Sequence, residues 1–357
     1  MQGWRRTMED AHIASVNLGD QDISLFGVFD GHGGSEVARF CSKYMTSEIL
    51  QLTEVKNGGD MTTALVKLFH RMDDMLRSDE HSQELAEFKG KRSDDEESED
   101  MEGAGGQGVS PSDAIDLLKK FIAMKRQGTS GDANGSPGAG ASDEGEASVL
   151  DQAEFIIEDD IQEDTLPEHS IQAGCTAVVA LLKSRKHLYI ANAGDSRAVL
   201  CRGGTAIALS EDHKPAQERE RSRIVAAGGF LSEIGGVCRV NGNLNLSRAI
   251  GDLKYKQNDT LPAAAQIITA EPDVQHIELN DDDQFFVLAC DGVWDVMENQ
   301  EVCDFVSERL RAGDSPKQVA CDLLDACLAS NPRDAKGIGC DNMTAQIIVL
   351  RPQDGAQ

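Results

Sequence analysis

Basic side chains are the scarce class in this chain: 34 Lys and Arg stand against 62 Asp and Glu, a formal net charge of -28. That balance repels a phosphate backbone at long range, so direct nucleic-acid binding is not expected, and cations or basic proteins fit better. No Cys-x-x-Cys pair occurs among the 9 cysteines, and an odd total leaves at least one thiol free. A reducing intracellular setting, cytoplasm or nucleus, is therefore expected. No apolar run is long enough to span a bilayer, no basic leader precedes an apolar stretch, and the opening Met-Gln is not a Met-Gly acylation signal. Neither membrane attachment nor secretion is expected, and the chain is read as a monomer.

What is present, 40% hydrophobic residues over 357 positions, is enough for one large core or two ordinary ones. The composition changes between Ser93 and Asp164, a stretch holding 20 acidic and 4 basic residues. Runs such as SDDEESEDMEG and GTSGDANGSPGAGASDEGEAS have too few apolar groups to offset the entropy of ordering, so 93–164 is expected to be an acidic, largely disordered insertion. Inside it Ile115, Leu118 and Ile122 recur at helical spacing after a Ser112 cap, which predicts a short helix over 112–126, either a docking element or a transient linker helix. Residues 1–92 and 165–352 then form one discontinuous domain, because neither half alone carries all the acidic motifs described below.

ISLFGVFD reads as a buried strand followed by two helices, marked by Val37, Phe40, Cys41 and Tyr44 and by Leu65, Leu68, Phe69, Met72 and Leu76. GCTAVVALLK, KHLYIAN and RAVLCR follow as strands joined by short polar turns that suit antiparallel pairing. QFFVLACD precedes helices near 299–312 and 315–330, and TAQIIVL ends the pattern. Runs of strands alternating with runs of helices predict an α+β class: two packed antiparallel β-sheets flanked by α-helices, an α-β-β-α sandwich.

Four motifs put a carboxylate beside a small residue at the edge of an apolar strand: VFDGHGG, NAGDSR, LACDGVWD and GCDNMTAQIIVL. A fifth, RRTMEDAH, sets paired acids near two arginines. Singly, each Asp-Gly reads more readily as a turn. Together, carboxylates at strand ends are rigidly held yet open to water, as a hard divalent cation requires, and two ions sharing one bridging Asp would need only a handful of them. Arg5 or Arg6 can grip two phosphate oxygens at once, and His32 stands among the acids. His12, His70, His187, His213 and His276 are expected to be structural or solvated. Arg248 in LSRAIGD either orients a flap or packs, and Lys214 in DHKP either meets substrate or lies in a polar turn.

In content and order, GWR…MEDAH, VFDGHGG, GCTAV, AGDSR, DHKP, RVNG…LSRAIGD, CDGVWD and CDNMT resemble the type 2C family of metal-dependent protein serine/threonine phosphatases. The resemblance covers essentially all of the chain outside the acidic segment, and that segment looks like the insertion of the gamma-type branch. It implies phosphoserine and phosphothreonine in proteins as substrates, two Mg²⁺ or Mn²⁺ ions with a weaker third, and direct attack by a metal-bridging water without a covalent intermediate. By position it assigns Asp30 as the carboxylate bridging both ions, the Gly31 carbonyl as a ligand of the first, and Asp291 with Asp341 as ligands of the second. Glu9 and Asp10 resemble acids that bind metal-held waters, and Asp195 with Asp295 the pair around the third ion. Arg5 is implied as the phosphate-binding arginine and His32 as the general acid. Members of the family usually carry a further strand before this point, which bears on whether one sheet edge is complete and on how firmly Arg5 is held.

Two alternatives are set aside on the residues. Cys303…Arg309 and Cys327…Arg333 have the C-x₅-R spacing of a cysteine-dependent phosphatase, but both lie on expected helices without a glycine-rich turn to aim amides at a phosphate. No acidic stretch has the Gly and Glu positions of a calcium-binding loop. The rival from another class is a non-catalytic acidic scaffold that holds basic proteins through its charged loop. The complete carboxylate set argues against it.

Overall fold

The structure, a computed structural model, describes residues 1–18, 22–89 and 171–350. The described residues belong to the first of the chain's two units, Met1–Gly90 with Leu166–Gln357. The expected insertion at 93–164 and its helix at 112–126 lie outside the described residues.

The first unit begins with β1 (Ala11–Leu18), β2 (Ile23–Phe29), β3 (Gly31–His32), α1 (Glu36–Gln51), α2 (Thr53–Lys56), α3 (Met61–Leu76) and α4 (Ser82–Lys89). It resumes with β4 (Gly174–Cys175), β5 (Ala177–Lys183), β6 (His187–Ala193), β7 (Arg197–Arg202), β8 (Thr205–Ala208) and α5 (Glu218–Ala226). The hairpin β9 (Leu231–Ile234) and β10 (Val237–Val240) and the short β11 (Ile250–Gly251) come next. Last are β12 (Asp273–Glu278), β13 (Asp283–Ala289), α6 (Asp291–Trp294), α7 (Asn299–Arg311), α8 (Pro316–Cys327) and β14 (Ala345–Val349).

Side-chain alternation explains the layers. Along β5, Ala177, Val179 and Leu181 face α1 and α3, while Val178, Ala180 and Leu182 face a second sheet. Along β13, Phe285, Val287 and Ala289 pack toward α7 and α8, while Phe286 and Leu288 meet the first sheet, Phe286 edge-on to Phe26. A strand buried on both faces must be apolar throughout, which is why these segments read as unbroken hydrophobic runs. The result is a sheet of order β1-β2-β5-β6-β12 against one of order β14-β13-β7-β8, with helices outside each. All pairings in both sheets are antiparallel, as the α+β sandwich expectation requires.

One connection differs from the expected hairpins. β5 and β6 pair, but β6 and β7 belong to different sheets, so Gly194–Ser196 carries the chain from one layer to the other. A three-residue polar link looks the same in sequence whether it closes a hairpin or crosses between layers. This crossing hangs Asp195 over the end of the sandwich where β2 and β13 finish and β14 begins.

Candidate active site

A cavity of about 430 Å³ opens at that end. Eight of the ten residues expected at the site line it: Arg5, Glu9, Asp30, Gly31, His32, Asp195, Asp291 and Asp341. Asp10 lies just behind, where one ligand atom each of Asp10, Asp30 and Cys290 fall within 4.8 Å of one another. Asp295 follows α6 outside the cavity lining. Burial and the charges of Asp195, Asp212 and Asp341 push its carboxyl up against the opposing pull of Lys214.

Local packing fixes these positions. Asp30 ends β2, and its carbonyl accepts from the Thr176 N–H at 2.9 Å. Gly31 has no room for a side chain, since a Cβ there would sit 2.3 Å from the Glu9 carbonyl oxygen. The segment carrying Glu9 is stapled by Asn342, whose Nδ2 donates to the carbonyls of Gln2 (2.7 Å) and Thr7 (2.9 Å) and whose Oδ1 accepts from the Glu9 N–H (2.8 Å). Thr344 donates its hydroxyl to Asp10 Oδ2 at 2.8 Å. Asn342, though inside CDNMT, received no role from the sequence because its partners are main-chain groups more than 330 positions away.

The electrostatics are those of crowded acids. Desolvation, followed by repulsion from Asp291, Asp10 and Asp195, holds Asp30 well above the ordinary carboxylate range. Desolvation and the charges of Asp195, Asp295 and Asp341 push Asp291 up to about 7, and desolvation raises Asp10 to about 6 despite its bonds from Thr344 and Cys290. Two cations stand close by. Lys214 pairs with Asp195, and Arg5, 61% exposed, donates to Asp341 at 2.5 Å.

His32 has a partner to which the sequence reading gave no role, the last residue of LSRAIGD. Its Nε2 lies 2.6 Å from Oδ2 of Asp252, a carboxylate only 1% exposed. Burial alone would lower the imidazole pKa, but the charge and hydrogen bond of Asp252 outweigh it and the net shift is upward. Asp252 adopts φ 49°, in the left-handed region that Asp tolerates better than most residues. Its loop is pinned by Lys256, which bonds Asp73 of α3 at 2.5 Å and the Ala249 carbonyl at 2.7 Å. Gly174 faces the pair, and a Cβ on it would come within 2.4 Å of Asp252 Oδ2 and 2.7 Å of His32 Nε2.

Leu244, Asn245 and Leu246 form the remaining wall. They belong to a segment rooted on Arg248, which is fully buried and donates twice to Glu220 Oε1 (3.1 and 2.7 Å) and once to Asp273 Oδ1 (2.9 Å). Of the two readings of Arg248, the structure shows the packing: a buried guanidinium bonded to Glu220 and Asp273. Cys303 and Cys327 are buried in α7 and at the end of α8, away from any phosphate-binding turn.

A sequence model of the family described as Protein phosphatase 2C matches residues 1–96 and 101–335. Among curated relatives, probable protein phosphatase 2C 21 of Arabidopsis thaliana is 42% identical over 351 residues, covering 98% of this chain and 85% of that protein. Probable protein phosphatase 2C 11 of Oryza sativa is 42% identical over 351 residues, covering 98% of this chain and 83% of its own. Among solved structures, a phosphatase from a pathogenic strain of Toxoplasma gondii shares the fold with a TM-score of 0.61 at 21% identity, over 99% of this chain and 91% of that one. A Caenorhabditis elegans sex-determining protein matches with the same TM-score of 0.61, and the chain spans 64% of its length. The antiparallel sandwich with its acidic end cavity is the architecture of a protein phosphatase. The chain belongs to the protein phosphatase 2C family.

Proposed function

We propose that this phosphatase hydrolyses phosphoserine and phosphothreonine esters of proteins with the help of two divalent cations, Mg²⁺ or Mn²⁺, held among Asp30, the Gly31 carbonyl, Asp291 and Asp341. The observation that carries the reading is the convergence of buried carboxylates: Asp291, Asp10 and Asp195 raise the proton affinity of Asp30; Asp195, Asp295 and Asp341 raise that of Asp291; and Asp10 Oδ1 is buried with no hydrogen-bond partner. Such groups are costly to bury as anions unless positive charge joins them, so an oxygen-rich set of this kind fits a hard dication. Glu9, Asp10, Asp195 and Asp295 would steady the surrounding waters and a weaker third ion. The bound ions would supply charge compensation and an activated water as the nucleophile.

The chain's own groups do the rest. Arg5 would turn from Asp341 to hold two phosphate oxygens, a small movement for an exposed guanidinium. His32, kept in place by Asp252, would give its proton to the departing serine or threonine oxygen, which is a poor leaving group without one. Attack by a metal-activated water, without a covalent intermediate, completes the proposed reaction. Turnover of p-nitrophenyl phosphate should require added Mg²⁺ or Mn²⁺. Metal-independent turnover, or full activity in Asp291→Asn, would refute the assignment.

For the acidic segment at 93–164 we propose attraction of basic protein substrates within the cell. Its deletion should leave p-nitrophenyl phosphate turnover nearly unchanged and slow the reaction on a basic phosphopeptide. That difference should fade as salt shortens the Debye length from about 10 Å to a few Å. An equal effect on both substrates defeats this part of the proposal.

A further inference from the structure

We propose that His187 and His276 form a two-imidazole chelate for a borderline cation of the Zn²⁺, Ni²⁺ or Cu²⁺ class, at the end of the first sheet opposite the carboxylate cavity. β6 runs from His187 to Ala193, and the cavity residue Asp195 follows, so seven residues of extended chain, roughly 20 Å, separate the two places.

The pleat and register bring the rings together. His187 and Tyr189 share one face of β6, and His276 of β12 lies directly across from Tyr189, which makes the two histidines diagonal neighbours on that face. His187 Nδ1 and His276 Nε2 are 3.2 Å apart. A cation bonded to two imidazoles at about 2.0–2.1 Å, with a nitrogen–metal–nitrogen angle between about 90° and 110°, needs its nitrogens about 2.9–3.4 Å apart. The observed spacing falls in that range. Tyr189 stacks on the His276 ring at 4.2 Å with 8° between planes, so one of the two ligands is held before any ion arrives. Glu278 stands across from His187 in register with its carboxylate turned to Lys186 at 2.7 Å, so the protein would supply two ligands here and water the rest.

The ligand chemistry separates this place from the catalytic cavity. Imidazole pairs favour Zn²⁺, Ni²⁺ and Cu²⁺, whereas Mg²⁺ and Mn²⁺ prefer carboxylate, carbonyl and water oxygens. High Mg²⁺ should therefore fill the cavity and leave the histidine pair open. Two of the five histidines read as structural or solvated, His187 and His276, thus acquire a role that does not depend on the phosphatase reaction.

The test titrates Ni²⁺ into the full-length protein in saturating Mg²⁺ by calorimetry, beside His187→Gln and His276→Gln. The wild type should bind one Ni²⁺ that either variant binds about tenfold or more weakly, because each leaves a single imidazole. Turnover in Mg²⁺ should be the same in all three proteins. The wild type alone should also gain thermal stability with added Ni²⁺. Equal Ni²⁺ affinity in the three proteins, or a Ni²⁺ signal lost in Asp30→Asn and kept in His276→Gln, overturns the proposal and leaves the pair as a hydrogen bond between rings.

Discussion

At the end of the sandwich, burial and neighbouring carboxylates push the proton affinity of Asp10, Asp30 and Asp291 up, whereas beneath the cavity wall Glu220 and Asp273 are enclosed by Arg248, Arg223 and Arg219 and held down. Burial works against both sets of anions. Beneath the wall it is outweighed: the Arg248 hydrogen bond and the charges of Arg223 and Arg248 bring Glu220 to about 2, and His213, Arg219 and Arg248 hold Asp273 below the usual range. At the cavity it is not, because neighbouring charge there is mostly of the same sign. A compensated cluster is a structural joint, and an uncompensated one stores repulsion that an incoming cation or proton relieves.

The comparison is broken most easily by removing one carboxylate from each side. Asp30→Asn should reduce metal-dependent turnover by about 100-fold or more, since it removes the acid on which both cations are proposed to converge. The same variant should melt no lower than the wild type in the absence of metal, because it deletes a repelled charge. A large loss of metal-free stability would show that Asp30 has a compensating partner after all. Glu220→Gln should do the reverse. It strands the buried Arg248 and Arg223, so urea unfolding should show a loss of about 3–5 kcal/mol. Unchanged stability would move Glu220 out of the structural class.

Much of this contrast could be read from residues, and the unread part has physical reasons. Asp30, Asp195, Asp291 and Asp341 were visible because each sits beside a small residue at the edge of an apolar strand, and a sandwich gathers strand ends. Glu220 was not visible, because ERERSR reads as a solvated helix surface, yet Glu220 is 1% exposed against a neighbouring arginine. Asp252 stood inside LSRAIGD but received no role, because its partner His32 is 220 positions away. The passage from β6 to the second sheet was missed because link length alone does not separate a hairpin from a crossing. Periodicity reports which face of an element is buried, and it is silent about which distant element covers that face.

Asp252 gives a finer test, since it is a buried carboxylate beside the cavity that does have a partner. Asp252→Asn keeps the shape and removes the charge facing His32. Turnover of a phosphoserine peptide should fall about tenfold or more, because the alkoxide leaving group needs a proton, while p-nitrophenyl phosphate, whose leaving group needs little help, should lose much less. Gly174→Ala, which intrudes on the same pair, should reproduce the split between substrates. A uniform loss on both substrates would mean that Asp252 only supports the fold.

The smallest expected effect is on stability against pH, and its sign separates the two clusters. Asp10 and Asp291, at about 6 and about 7, lie above the ordinary value of 3.8, so folding favours their protonated forms. Their contribution is full below about pH 4 and is lost as pH rises through 6 and 7. Glu220, at about 2, lies below its ordinary value of 4.5, so its contribution is full above that value and is lost only as pH falls toward 2. Between pH 5 and 8 the Glu220 contribution is therefore constant, while those of Asp10 and Asp291 change. Metal-free protein should lose a few degrees of Tm across that interval. With Mg²⁺ the slope should flatten, because the cation replaces the protons that the crowded acids otherwise retain. A metal-free Tm that rises with pH over this range would show that the acids are already neutralised by groups of the protein, and the cavity would then belong with the Glu220 cluster.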